Sequence, residues 1–350
     1  MQFNRMISWH AVSKEQTERE FPMRKIVLEE AVVIPGQEDV VPEHAIHPEF
    51  RDNYPRLVDI TGQRLQDMDA NEIEVSVLSV TAPGLQGVND RSMAPQLAEK
   101  WNNYLAEAVA GHTDRLKVFA VLPTADPQLA AQELHRCVRD HGFVGALING
   151  YDNSGGSKPL YYDAPQYLDF WRAVAEIDVP VYIHPRSVPD DRTTTYSGYP
   201  ELRGAAWGFH VETAEHVLRL ILSGLFDKVP GLNIIIGHMG ELLPYWTWRI
   251  DHRIEREGWR NRPETKDRQR KHTVTEYLRS NFYFTTSGSF DTAGLEHTLK
   301  VMGADRVLYS VDYPYEDNRE ANDWFETLAL DEDAKRKIAF DNAARLLKIG

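Results

Sequence analysis

Eight short apolar runs alternate with longer amphipathic segments along this chain, and no other feature limits its possible folds as much. Most runs are nearly continuous in Val, Ile and Leu, which is typical of parallel strands buried on both faces. They occupy residues 25–30, 73–80, 116–123, 144–150, 180–185, 232–238, 281–287 and 306–314. Helical patterns lie between them, as at 97–112, 127–142 and 211–231. The alternation predicts an α/β fold, a single (β/α)8 TIM barrel, with a doubly wound sheet as the alternative.

The strand pattern indicates one barrel domain over residues 24–350, preceded by an N-terminal extension at 1–23. The extension is polar and mixed in charge, so it lacks the apolar centre of a signal peptide. Long inserted loops are expected after strands one and five, at 31–62 and 186–210. Both loops leave the carboxyl ends of strands, where the active sites of such barrels form.

Charge and cysteine content exclude several classes of function. Acidic residues number 53 and basic residues 39, which gives a net charge of −14. A surface this acidic repels phosphate backbones, so nucleic acid is not an expected partner. The single cysteine, Cys137, cannot form an internal disulfide and suits a reducing cytoplasm. No run approaches the roughly 20 apolar residues of a membrane helix. We expect a cytoplasmic protein that acts on a small molecule.

Polar or ionisable residues end five of the predicted strands. In chain order they are Glu29, Asn149, His184, His238 and Asp312. Each alone has an ordinary explanation, because a histidine can be a hydrogen-bonded core residue, a glutamate a helix cap and an aspartate part of a turn. Such groups are costly inside apolar strands, whereas strand carboxyl ends converge on one mouth of a barrel. Their joint occurrence favours a shared metal or catalytic site.

Glu29, His184 and Asp312 form a carboxylate–imidazole–carboxylate set that predicts one divalent ion. Oxygen ligands favour Mg or Mn, while the imidazole keeps Zn and Fe possible. Three protein ligands leave coordination positions open for water or substrate, as a catalytic metal requires. His238 and Glu241 would share one face of a helix beginning there. Glu241 then either orients the imidazole or merely favours the positive helix N-terminus.

Longer motifs surround these positions from about Lys25 to the C-terminus. They are LEEA (28–31), MDANEIEVSVLS (68–79), GFVGALING (142–150), IHP (183–185), WGFHVETAEHVLRLILSGLFD (207–227), GHMGELLPYWTWRIDHR (237–253), TTSG (285–288), GADRVLYSVDYPYE (303–316) and DNAARLLKI (341–349). Through them the chain resembles the amidohydrolase-related decarboxylases of the amidohydrolase superfamily. That family includes γ-resorcylate (2,6-dihydroxybenzoate), 2,3-dihydroxybenzoate and 5-carboxyvanillate decarboxylases.

The resemblance implies roles for the residues at the strand ends. Glu29, His184 and Asp312 match the metal ligands, and Asp312 also matches the group that handles the proton. His238 and Glu241 match the catalytic histidine and its partner. The resemblance further implies one divalent ion (Mn, Mg or Zn) and no organic cofactor.

The resemblance also implies contacts with an aromatic acid. Asn149 matches a substrate contact, and Arg249 matches an arginine offered across a subunit interface, since the family usually forms tetramers built from dimers. Trp207 and Tyr315 lie near the expected mouth, where they either line the pocket or pack ordinarily. Many relatives read Glu-x-His on strand one, but position 31 is Ala31 here. In this respect the chain looks more like the 2,3-dihydroxybenzoate and 5-carboxyvanillate enzymes, which tilts the expected metal toward Mn or Mg.

These implications predict a carboxy-lyase that removes CO2 without oxidation from an ortho-hydroxy aromatic acid, such as 2,3-dihydroxybenzoate, leaving the phenol. The acid form of Asp312 is the expected donor of a proton to the ring. A metal-dependent amide or lactone hydrolase on the same barrel is the alternative, and the missing histidine at position 31 weighs against it. An accessory subunit that keeps only the fold and a metal-dependent oxygenase are further possibilities.

Overall fold

The computed structural model describes residues 23–41, 49–153 and 158–350. Eight parallel strands follow one another in chain order, and each pairs with the next from β1 to β8. The amide of Ala31 donates to the carbonyl of Tyr313 at 2.7 Å and joins the end of β1 to the segment after β8. The predicted (β/α)8 barrel is therefore confirmed. The predicted extension falls almost wholly outside the described residues and stays a prediction.

The strands are short and the helices between them form an outer layer. The strands are β1 Lys25–Val32, β2 Ile73–Val80, β3 Leu116–Ala120, β4 Gly145–Asn149, β5 Val181–His184, β6 Ile234–Ile236, β7 Phe282–Thr285 and β8 Val307–Leu308. The helices are α1 Phe50–Leu57, α2 Gln63–Ala70, α3 Ala94–Val109, α4 Pro127–His141, α5 Leu168–Ile177, α6 Gly208–Leu222, α7 Leu225–Lys228, the single turn α8 His238–Glu241, α9 Leu243–Arg256, α10 Val274–Asn281, α11 Thr292–Met302, α12 Asn318–Thr327, α13 Glu332–Arg336 and α14 Asn342–Leu347. Within the described ranges, no helix has the length and apolar character to cross a membrane.

The segments in which long inserted loops were predicted lie at the carboxyl ends of β1 and β5. The first contains α1, while residues 42–48 lie outside the described parts of the chain. The second contains the short 3-10 helices Asp190–Tyr196 and Pro200–Leu202 before α6 begins. Both loops border the same mouth of the barrel, where they can cover a site.

Apolar strand residues alternate between the barrel lumen and the helical layer. Ile26, Val77 and Ile235 belong to one buried cluster, which also contains Leu346 and Leu347 of α14. The intervening strand residues pack instead against the surrounding helices. The last helix therefore closes the amino end of the barrel, and the carboxyl end is left for polar groups.

One irregularity in β1 decides where its acidic residues point. Leu28 and Glu29 together lie opposite Val77, so β1 carries one extra residue relative to β2. The amides of both bulged residues donate to Ser310 Oγ, at 2.9 and 3.0 Å. Such a bulge interrupts strand alternation and redirects a side chain. Glu29 consequently enters the lumen beside Tyr182, on the same side as Leu28.

Candidate metal and active site

The structure brings Glu29, His184 and Asp312 together at the carboxyl mouth of the barrel. One potential ligand atom from each lies within 4.8 Å of the other two. His184 Nε2 is 3.3 Å from Glu29 Oε1. Burial lowers the pKa of His184, which favours the neutral imidazole that a metal needs. Three donors of this type at such separations can hold one divalent ion.

The two oxygens of Glu29 have different surroundings. Oε2 accepts hydrogen bonds from the hydroxyls of Tyr182 and Ser287, and Thr285 Oγ1 lies 3.4 Å away. Oε1 accepts no hydrogen bond from the described residues, although it is buried. A buried polar atom without a partner needs an explanation, and a cation supplies one. The hydroxyls orient the carboxylate so that its free oxygen faces the other two ligands. The residues present therefore fit a metal.

Asp312 owes its position to an unusual backbone. Its φ of 81° lies in the left-handed region, which is uncommon for a residue other than glycine. The amides of Tyr315 and Glu316 both donate to its carbonyl at 3.0 Å and fix the turn after β8. Burial, helped by the nearby Glu29 carboxylate, raises the pKa of Asp312 to about 8, although His238 opposes the rise.

His238 is held by a carboxylate that it shares with a second histidine. Glu241 is fully buried, and its Oε1 lies 2.8 Å from His238 Nδ1 while its Oε2 lies 2.5 Å from His210 Nδ1. Burial would raise the pKa of Glu241, but the two imidazoles outweigh it and lower that pKa to about 2. An ionised carboxylate only accepts hydrogen bonds, so each Nδ1 carries a proton.

The remaining nitrogen of His238 faces the proposed metal ligands. Its Nε2 lies 3.6 Å from Asp312 Oδ2 and 3.9 Å from Glu29 Oε1. Burial would lower the pKa of His238, but Glu241 and Glu29 outweigh burial and hold that pKa well above its usual value. The imidazole can thus exchange a proton with Asp312 or stabilise negative charge beside it.

A cleft of about 870 Å³, including its open mouth, lies over these groups. Part of its wall is apolar, which suits an aromatic ring. The apolar lining residues include Ala31, Val80, Ala82, Ala205 and Phe209. Tyr315 also lines the cleft as expected, and its hydroxyl is 2.7 Å from Thr81 Oγ1.

Three predicted substrate contacts lie away from this lining. Asn149 is buried and its side chain donates to the carbonyl of Val80 at 3.2 Å. Trp207 precedes α6 and is 45% exposed, and Arg249 is exposed on α9. Within one chain, none of the three reaches the cleft. The resemblance implied contacts for Asn149 and Arg249, and Trp207 was placed only near the expected mouth; none of this indicated which way each side chain turns.

The sequence patterns did not indicate His210 or the three hydroxyls that lie beside Glu29. His210 lies inside a helical segment, where a single histidine is commonly a core or surface residue. Tyr182 lies inside an apolar strand and is fully buried, so its pattern matched a packing role. Only the barrel's closure brings these residues from distant segments to the same acid groups.

The (β/α)8 barrel and the carboxylate–imidazole–carboxylate set at its carboxyl mouth place this protein in the class of metal-dependent barrel enzymes. Sequence comparison then fixes the family. Residues 30–349 match the family described as Amidohydrolase. This chain belongs to the amidohydrolase family, as the resemblance implied.

Solved and curated relatives cover nearly the whole chain. The γ-resorcylate decarboxylase of Rhizobium radiobacter is 45% identical over 326 residues, which span 93% of this chain and 98% of that protein. A dihydroxybenzoic acid decarboxylase from Polaromonas, solved with manganese and 2-nitroresorcinol, is 43% identical with a TM-score of 0.85, covering 93% of this chain and 96% of the other. The 5-carboxyvanillate decarboxylase of Novosphingobium aromaticivorans, solved with manganese and a nitrobenzoic acid, is 33% identical with a TM-score of 0.85, covering 95% and 97%.

These identities correct one expectation. Ala31 suggested a closer likeness to the 5-carboxyvanillate enzymes than to the γ-resorcylate enzymes. The overall identity is higher to the γ-resorcylate decarboxylase, at 45% against 33%. A single position on strand one therefore does not report the overall relationship.

We expect Tyr182→Phe to weaken metal binding, because it removes a hydroxyl that orients Glu29 and leaves the fold intact. Loss of such an outer contact typically costs about 10- to 100-fold in metal affinity. The measurement is a titration of metal-free protein with Mn²⁺, following free Mn²⁺ by electron paramagnetic resonance.

Tyr309→Phe is the matched control, because this buried tyrosine has a hydroxyl without a hydrogen-bond partner among the described residues. It should bind Mn²⁺ as the unaltered protein does. Equal affinities for the unaltered protein and Tyr182→Phe would show that Glu29 needs no such orientation.

Proposed function

We propose that this chain is a divalent-metal-dependent carboxy-lyase that converts an ortho-hydroxybenzoate to the corresponding phenol and CO2. The observation that carries the proposal is the gathering of Glu29, His184 and Asp312 beside His238, in a chain aligned almost end to end with hydroxybenzoate decarboxylases. Related structures contain manganese, and the apolar cleft above the ligands suits an aromatic ring. The activity belongs to the degradation of aromatic compounds and needs no organic cofactor.

Glu29, His184 and Asp312 would hold the metal. When bound there, a divalent cation would take the substrate carboxylate and the adjacent phenolic oxygen as ligands and offset their negative charge. The requirement for a hydroxyl ortho to the carboxylate follows from this pair of oxygens. The apolar wall near Phe209 and Ala31 would orient the ring and exclude water from it.

Proton transfer falls to the chain's own residues. Asp312, in its acid form, donates a proton to the ring carbon that bears the carboxylate. The bond from that carbon to the carboxylate then breaks, CO2 leaves, and the electron pair restores the aromatic ring. His238, 3.6 Å from Asp312, stabilises the carboxylate that Asp312 becomes. Glu241 keeps the imidazole turned toward this pair.

The position of the hydroxyl should control turnover. With Mn²⁺ present, 2-hydroxybenzoate and its 2,3- and 2,6-dihydroxy relatives should release CO2 at least about 100-fold faster than 3-hydroxybenzoate, because the meta hydroxyl cannot share the ion with the carboxylate. The measurement is CO2 release, with metal-stripped protein as the blank. Comparable turnover of the ortho and meta isomers would refute the scheme, and opening of amides or lactones without CO2 release would favour a hydrolase.

Asp312→Asn should lower kcat by about 10²- to 10⁴-fold, because the amide keeps the shape but cannot donate the acid proton. Asp317→Asn is the matched control five residues later, since Asp317 caps α12 and asparagine caps helices equally well. Its kcat should equal that of the unaltered enzyme. An Asp312→Asn variant that binds Mn²⁺ and retains full kcat would exclude Asp312 as the donor.

We also propose that the enzyme is a homo-oligomer, either a dimer or a tetramer built from two dimers. Helix α9 exposes Tyr245, Trp246 and Trp248 at 55%, 57% and 70%, and Arg249 lies beside them. Neighbouring exposed aromatic residues mark interaction surfaces, and a second copy presents the same face. Arg249 would then enter the partner's cleft and bind the substrate there.

We propose a cytoplasmic location, which the lone buried thiol of Cys137 suits.

Complementation between two inactive variants tests the role of Arg249. Arg249→Ala and Asp312→Asn should each be nearly inactive alone. When the two variants are co-expressed and pair freely, about half of the dimers are mixed. In each mixed dimer one of the two sites has both intact residues, so about one quarter of normal activity should return. A mixture that stays as inactive as its components would show that Arg249 does not act across an interface.

A further inference from the structure

Five consecutive residues beside the site have left-handed backbone angles. The φ values are 51° at His238, 56° at Met239, 84° at Gly240, 52° at Glu241 and 67° at Leu242. Only glycine adopts this region without an energetic penalty, and the other four residues are strained there. Left-handed runs of this length persist only when surrounding contacts hold them. The turn that carries the proposed catalytic histidine is therefore a strained segment that needs an anchor.

Glu241 joins this turn to a neighbouring helix. One of its oxygens contacts His238 inside the turn, and the other contacts His210 near the start of α6. Glu241 is completely buried, so an oxygen that lost its donor could not turn to water instead. With both oxygens engaged, the carboxylate is fixed in rotation as well as in position.

We propose that His210 is a positioning residue for the decarboxylation, holding the His238 ring in one orientation through Glu241; this inference rests on the proposed function. The Nδ1–H of His210 fixes the carboxylate, the carboxylate accepts the Nδ1–H of His238, and His238 Nε2 is left facing Asp312. The two rings meet edge to face, with centroids 5.6 Å apart and planes at 77°. That arrangement limits rocking of the His238 ring.

The three residues could also be ligands of a second metal, since their donor atoms cluster. The separations favour hydrogen bonds instead. Ligand atoms that share an ion at about 2.1 Å lie about 3 Å or more apart. Glu241 approaches the two imidazole nitrogens to 2.5 and 2.8 Å, which is the range of charge-assisted hydrogen bonds.

Two substitutions of His210 test whether its hydrogen-bond donor is required, apart from the bulk of its ring. His210→Leu removes the hydrogen-bond donor and puts an apolar side chain of similar size in place of the imidazole. His210→Asn keeps a donor, because the asparagine amide nitrogen can occupy the place of Nδ1. His210→Leu should lower kcat by about 10- to 100-fold, with KM and Mn²⁺ affinity within about threefold of normal. His210→Asn should recover kcat to within about threefold of the unaltered enzyme.

His216→Leu controls for the loss of a buried histidine from the same helix. His216 is fully buried on α6, but its ring packs against Tyr161 and Tyr162 rather than against Glu241. This variant should lose stability without a selective loss of kcat. If it lowers kcat as much as His210→Leu does, the effect reflects general loosening of the helix and the proposal is wrong.

Hydrogen–deuterium exchange gives a readout that does not depend on activity. The peptide covering 237–243 should exchange faster in His210→Leu than in the unaltered protein, in His210→Asn or in His216→Leu. Unchanged exchange in His210→Leu would overturn the proposal, as would equal kcat losses in His210→Leu and His210→Asn. If the unaltered protein releases no CO2 from any hydroxybenzoate, the proposed function fails, and exchange alone decides whether His210 anchors the turn.

Discussion

A buried carboxylate with one satisfied oxygen and one free oxygen is the constraint on which this site depends. Removing a carboxylate from water costs several kcal/mol unless hydrogen bonds or an opposite charge offset the loss. Hydroxyls from β5 and the β7 end satisfy Glu29 Oε2, but Oε1 has no hydrogen-bond donor among the described residues. The free oxygen makes the barrel mouth a place where a cation is stabilised. The bulge in β1 is what delivers Glu29 there, since regular alternation would turn it away from the lumen.

The same mouth holds its reactive groups on strained backbone. Asp312 and the 238–242 turn both have positive φ angles. The turn begins two residues after β6, and Asp312 lies four residues after β8. The eight-stranded sheet can hold such angles because the paired strand that precedes each segment cannot relax around it. The stability of the barrel therefore maintains these strained backbone angles. The angles in turn direct the side chains of Asp312 and His238 toward one point.

The sequence was sufficient to predict the barrel and most of the proposed ligand set, because both depend largely on local patterns. Apolar runs mark strands, and an ionisable residue at a strand end can point only toward the mouth or away from it. The strand pattern did not show whether Glu29 or Glu30 points toward the mouth, and only the resemblance chose Glu29. The structure shows Glu30 on the other side, accepting from Ser310 Oγ and the amide of Val311. Likewise, nothing local distinguishes His210 from a packing histidine, since its partner is 31 residues away.

The contacts of Arg186 bear on the proposed role of Arg249. Arg186 lies in the cleft wall, but its guanidinium donates to the carbonyls of Gln86 and Tyr151 and stacks on the Tyr151 ring. Turning it toward a substrate would leave two buried carbonyls without donors, which costs more than one new contact returns. We therefore expect the Arg186 guanidinium to stay engaged with these carbonyls when an acid binds in the cleft. In the proposed dimer, Arg249, which is exposed on α9 beside Trp248, would enter the partner's cleft and supply such a contact.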